Sequence, residues 1–122
     1  MFLSKRNQDR YLFTQFEPIG VRAAFPCFDE PAYKVPWQIT LHIPPKDVAV
    51  ANTNIQSEQS EGAVKRVVFR ETKPLPTYLV AFAVGPLEFV DAGKAGRAQV
   101  PVRIVVPRGD APPRQVCRLN HR

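Results

Sequence analysis

The clearest pattern along the chain is an alternation of apolar and polar residues around Trp37. Val35, Trp37, Ile39, Leu41 and Ile43 share one parity, and Gln38, Thr40 and His42 the other. A period of two predicts a half-buried antiparallel strand over 37–44. The same alternation over 11–17 sets Tyr11, Phe13, Gln15 and Glu17 on one face and Leu12, Thr14 and Phe16 on the other. Pro18 and Gly20 end that strand. Shorter strands are predicted at 48–51, 65–71 and 87–90. Residues 78–84 are apolar on both parities, too short for an isolated core helix, and bounded by Pro76 and Gly85. They predict a central buried strand. Residues 100–106 alternate but include Pro101, which donates nothing to a ladder, so they predict an edge strand.

The segments between carry no such period. Residues 1–10 give no signal. Residues 25–36 hold Pro26, Pro31 and Pro36, which leaves room for one short helical turn at Asp29-Glu30-Pro31. Residues 52–62 are polar and predict a loop, and 92–98 a Gly/Lys turn. The sum is six or seven short strands without a long helix. This predicts an all-β fold, an antiparallel β-sandwich or open barrel occupying 1–107 as one domain. Residues 108–122 predict a basic, disordered tail. Within it, Arg108-Gly109-Asp110 predicts a turn rather than an adhesion motif.

Composition agrees with this picture and narrows it. In 122 residues, 44% are apolar and 23% charged, which is a globular balance for one domain. Thirteen prolines against six glycines cut the chain into pieces that suit strands. The net charge of +6 arises entirely after residue 92, where Asp110 is the only acid. Those arginines stand singly and without aromatic neighbours, so the pattern predicts neither a nucleic-acid nor a membrane partner. Cys27 and Cys117 lie in no CxxC and near no histidine, and two free thiols suit a reducing cytoplasm. No signal peptide or membrane-length apolar run is visible.

Candidate chemistry is sparse. A catalytic zinc usually needs three protein ligands, often two histidines at helical spacing. This chain has only His42 and His121. His42 reads as a surface residue on a polar strand face. There is no phosphate loop, no GxSxG and no Cys-His pair, so no residue is assigned as catalytic. Asp29 and Glu30 are adjacent and do not face one another. A cap and a salt bridge to Arg22 or Lys34 account for them. What remains is Gln15 and Glu17, placed on one face by strand spacing. A carboxylate beside a carboxamide suits a primary ammonium, the first supplying charge and the second a neutral acceptor. Spacing alone favours a solvated face over this reading.

Two motifs give these residues a context. Thr14-Gln15-Phe16-Glu17-Pro18, Arg22, and Phe25-Pro26-Cys27-Phe28-Asp29-Glu30-Pro31 with Lys34 form the first. Thr77-Tyr78-Leu79-Val80-Ala81-Phe82 with Val84-Gly85 form the second. In this order they resemble the N-terminal domain of the zinc aminopeptidase family, the gluzincins typified by aminopeptidase N and leukotriene hydrolase. The resemblance covers about 11–107. It implies a saddle-like β-sandwich that caps the active site of a separate zinc-bearing domain. It further implies that Glu17 helps bind the α-amino group of a peptide N-terminus and that Gln15 lines the first side-chain pocket. The proline-rich segment at 25–31 would be structural.

The departures shape the expected function. The family's GxMEN-like motif and HExxH are absent, and so is any zinc site. Strands normally precede the first motif, and a second basic residue often follows the position of Arg22, where Ala23 stands here. These features predict an incomplete domain, a fragment inactive alone, with zinc belonging to the absent part. The competing expectation is a stand-alone, non-catalytic β-sandwich interaction module. Either leaves unpaired strands through which the chain would self-associate.

Overall fold

A computed structural model describes residues 1–6 and 8–110. The expected tail beyond 110, with Cys117 and His121, lies outside the described residues. Contacts divide the chain into two units, Met1–Gly85 and one starting at Pro86. The first contains β1 (Phe2–Arg6), β2 (Asp9–Phe13), β3 (Thr40–Ile43), β4 (Val48–Ala51), β5 (Ile55–Glu61), β6 (Val64–Phe69) and β7 (Phe82–Gly85). The second contains β8 (Leu87–Ala95) and β9 (Val100–Pro107). Every pairing is antiparallel. In the first unit the sheets run β1-β2-β7-β4 and β3-β6-β5, and the second is the ribbon β8-β9. The fold is all-β, an antiparallel sandwich in its first unit.

The alternation is realised from Trp37 onward, whereas Val35, expected on the same covered face, is exposed. Trp37, Ile39 and Leu41 are half-buried and Ile43 is buried, while Gln38, Thr40 and His42 are exposed. The regular strand is shorter than expected, yet the backbone pairing continues upstream. Phe69 N–H donates to Ile39 O (2.9 Å), Thr72 N–H to Trp37 O (2.9 Å), and Leu75 N–H to Val35 O (2.9 Å). One core lies between the sheets, where Ile43, Val67 and Phe69 meet Ala49. A second gathers Phe16, Val21 and Val80 with Phe25 and Trp37 packed against them. Each fully buried Phe or Val contributes roughly 1.5–3 kcal/mol by leaving water.

Four expectations need correction. Residues 1–10 are not featureless: β1 and the start of β2 form a hairpin there, paired from Phe2↔Phe13 to Arg6↔Asp9. Residues 52–62 are not a loop, because β5 pairs along β6 from Ile55↔Phe69 to Glu61↔Val64. All seven β5 residues are exposed, so hydrogen bonding forms the strand without any apolar period. The predicted strand over 78–84 is divided. Thr77–Leu79 is a 3-10 turn and the ladder is joined only at β7, although β7 is central between β2 and β4. The Gly/Lys turn narrows to 96–99, because β8 runs on to Ala95 across a bulge between Asp91 and Gly93. Arg108 and Gly109 form a turn closed by Asp110 N–H donating to Pro107 O at 3.1 Å.

Candidate functional site

The stretch after β2 is built residue by residue. The ladder was expected to run to Glu17 but stops at Phe13. Thr14 extends it by one step onto β7. Its N–H donates to Phe82 O (3.1 Å), and its Oγ1 accepts from Phe82 N–H (3.0 Å). Phe16 is then 1% exposed and packs edge-on against Phe25, with centroids 6.0 Å apart. Gln15 and Glu17 therefore stand exposed on either side of a buried anchor. The Glu17-Pro18 peptide is cis.

Gln15 and Glu17 are also joined directly. Glu17 N–H donates to Gln15 Oε1 at 2.8 Å. The acceptor expected to face an amine is thus turned partly inward, leaving one lone pair and the NH₂ group for solvent. The Glu17 carboxylate makes no hydrogen bond or ion pair among the described residues. The chain then folds back tightly. Gly20 N–H donates to Phe16 O at 2.7 Å, and a 3-10 turn follows at Gly20–Ala23. A Cβ at Gly20 would sit 3.1 Å from Gln15 O, a tight contact that would push on that carbonyl by a few tenths of an ångström.

The proline-rich segment is tied down by one carboxylate. Asp29 Oδ2 accepts from Arg22 Nε at 2.9 Å, and its Oδ1 accepts from Thr77 Oγ1 at 2.6 Å. The Asp29 side chain is only 4% exposed and Thr77 is 2% exposed. Of the two salt-bridge partners named from the sequence, Arg22 is the one used. Asp29 thereby joins the first motif to the second across 48 residues. The expected helical turn reduces to one reverse turn, with Tyr33 N–H donating to Glu30 O at 2.9 Å. Asn52 pins the other side of the second motif: its Nδ2 donates to Leu79 O (2.9 Å) and its Oδ1 accepts from Ala81 N–H (2.8 Å).

Thr14, Phe16 and Gly20 position the pair, and Thr77 and Asn52 hold the segments behind it. The first three sit inside or beside the quoted motif and were legible there as letters without roles. Asn52 had no local signal. Next to Asp29 lies an open apolar recess of about 490 Å³, lined by Pro26, Cys27, Phe28, Tyr33, Val35 and Trp37. Phe28 is 85% exposed. Gln15 and Glu17 do not line it.

The donor set does not fit zinc. His42 lies on the exposed side of β3, 3.5 Å from Glu61 Oε2. Among the described residues no three His, Cys, Asp or Glu side chains cluster tightly enough to hold a metal. No helix among them is long and apolar enough to cross a membrane.

Comparison with known proteins fits this construction. Residues 2–79 match the Peptidase M1 N-terminal domain. Aminopeptidase M1-A of Oryza sativa subsp. japonica is 46% identical over 79 residues, 65% of this chain and 9% of its own length. Puromycin-sensitive aminopeptidase of Caenorhabditis elegans is 42% identical over 94 residues, covering 75% of this chain and 10% of itself. Aminopeptidase N of Acetobacter pasteurianus is 37% identical over 101 residues, 82% of this chain and 28% of its own length. The chain spans about a tenth of the first two relatives. With the antiparallel sandwich and both motifs in place, the chain belongs to the M1 peptidase family and carries part of its N-terminal domain.

Proposed function

We propose that this chain supplies the amine-recognising wall of an aminopeptidase site. Glu17 pairs with the substrate's α-ammonium, and Gln15 shapes the pocket for the first side chain. The observation that carries this reading is the Glu17 carboxylate, unpartnered among the described residues, on a pinned backbone. Thr14 and buried Phe16 fix the segment before any ligand arrives, which lowers the ordering cost of binding. An exopeptidase must tell a free N-terminus from an internal amide, and a charge-assisted hydrogen bond to carboxylate does so. The aminopeptidase names of the relatives support the same assignment.

In this reading the domain caps a site completed by residues outside this chain. Zinc is held there, where it would polarise a carbonyl and activate water. The residues described here do not fit the metal, so no step passes through it in this chain. The chain alone binds the amine weakly and does not hydrolyse peptides. Its place of action is the cytoplasm.

The test is an amide-resolved NMR titration of the purified chain with leucinamide and with N-acetyl-leucinamide. Leucinamide is expected to shift the Gln15 and Glu17 resonances, while the acetylated compound does not. Glu17→Gln removes the response. Equal shifts with both compounds would overturn the assignment.

A second reading, a non-catalytic interaction module, is favoured by the recess beside Phe28 and Tyr33, whose exposed rings pack 6.3 Å apart. It predicts that Phe28→Ser abolishes a specific complex while Glu17→Gln leaves it intact.

A further inference from the structure

The free edge of the four-stranded sheet is a surface that amine recognition does not use. Among the described residues β1 ends the order β1-β2-β7-β4, so no described strand pairs with its outer side. All five of its residues are exposed, Leu3 at 72% and Phe2 at 51%. On one face Phe2 stacks on Phe13 at 5.4 Å, and Phe13 itself stays 43% exposed. On the other face Leu3 and Leu12 border an open slot of about 270 Å³, with Leu41 and Ile43 of the second sheet across it.

The other edges carry devices that discourage pairing. β3 lies between Pro36 and the Pro44-Pro45 pair. β5 presents Glu58 and Glu61 and bulges between Ile55 and Ser57. β8 bulges between Asp91 and Gly93, and β9 contains Pro101 and Pro107. β4 has no exposed residue. β1 has no proline and no bulge, its register with β2 is unbroken, and its two charges, Lys5 and Arg6, sit together at its end, which leaves Phe2–Ser4 uncharged. An exposed edge whose first three residues carry no charge, proline or bulge can template another strand.

The charges on β1 select the partner and its direction. A second copy added in parallel register would set Lys5 on Lys5 and Arg6 on Arg6. Added antiparallel and centred on Ser4, it sets Lys5 opposite Leu3 and Arg6 opposite Phe2 in both copies. Like charges are then apart, which favours the pairing. Each guanidinium also meets an aromatic side chain. The same kind of contact occurs within the second unit, where Arg103 lies over the Phe89 ring at 5.0 Å.

We propose that β1 is a self-association edge. Two copies pair β1 to β1, antiparallel about Ser4, and join two four-stranded sheets into one of eight strands. The inference stands independently of amine recognition.

Sedimentation velocity of the whole chain across a dilution series tests it. A reversible dimer is expected. Leu3→Lys sets Lys against Lys5 of the other copy and should weaken the dimer roughly tenfold or more. Because Leu3 is mostly exposed, circular dichroism should be unchanged. Adding Lys5→Glu to Leu3→Lys restores opposite charges in this register alone and should recover the dimer. Gln59→Lys on β5 should have no effect. A monomer at every concentration, an unaffected Leu3→Lys dimer, a double variant that stays monomeric, or loss of the dimer in Gln59→Lys would each overturn the proposal.

Discussion

Glu17 and Asp29 are both carboxylates of the first motif, yet the structure treats them oppositely. Asp29 is enclosed and receives hydrogen bonds from Arg22 and Thr77. Glu17 is exposed and its carboxylate is unclaimed among the described residues. Substitution should separate them. Asp29→Ala leaves the Thr77 hydroxyl buried without its acceptor, at a cost of about 2–3 kcal/mol. Asp29→Asn, which keeps an acceptor, should cost less. Both are read from urea midpoints at constant m-value. Glu17→Gln should move stability by no more than about 0.5 kcal/mol, as surface changes do. In a complete family enzyme carrying this domain, the same change should raise KM roughly tenfold or more, the worth of one charge-assisted hydrogen bond. Gly20→Ala presses on the Gln15 carbonyl. It is expected to shift the Gln15 and Glu17 NMR resonances before any ligand is added.

Among the elements, strands with an apolar alternation were legible and strands without one were not. β4 matches its expected bounds and β3 keeps its alternation, because burial on one side selects apolar residues at every second position. β1 and β5 escaped notice because every residue in them is exposed. Their stability comes from backbone pairing to β2 and β6, which leaves no trace in side-chain polarity. The stretch 78–84 misled for the converse reason. Tertiary contacts bury Val80 and hold Leu79 and Ala81 through Asn52, so apolar letters fill a turn as well as a strand. β7 also depends on close approach. A Cβ at Gly85 would lie 2.7 Å from Tyr11 Cδ1 and 3.1 Å from Arg10 O. Gly85→Ala should therefore destabilise by about 1–3 kcal/mol through overpacking. Thermal melting monitored by tyrosine near-ultraviolet dichroism would record both the loss and the displaced ring.

For the whole molecule, the family assignment and the zinc-deficient donor set set the expectation for activity. The purified chain supplied with zinc should release no product from an aminoacyl anilide. Turnover that disappears with a chelator would refute the proposed division between this chain and an external metal site. The sequence by itself determined the all-β class, the family through its two motifs, and Gln15 with Glu17 as the pair to examine. These are local properties: period, proline spacing and short ordered strings. Only the tertiary structure decided that Asp29 joins the two motifs, that Gln15 turns its oxygen to the Glu17 backbone, and that Phe16 anchors the segment between them. It also placed β1 at the end of the four-stranded sheet. Such relations join residues far apart in the chain or depend on which strand lies beside which. Hydrogen-bond partners and sheet order are set by packing, and no local pattern of polar and apolar residues encodes them.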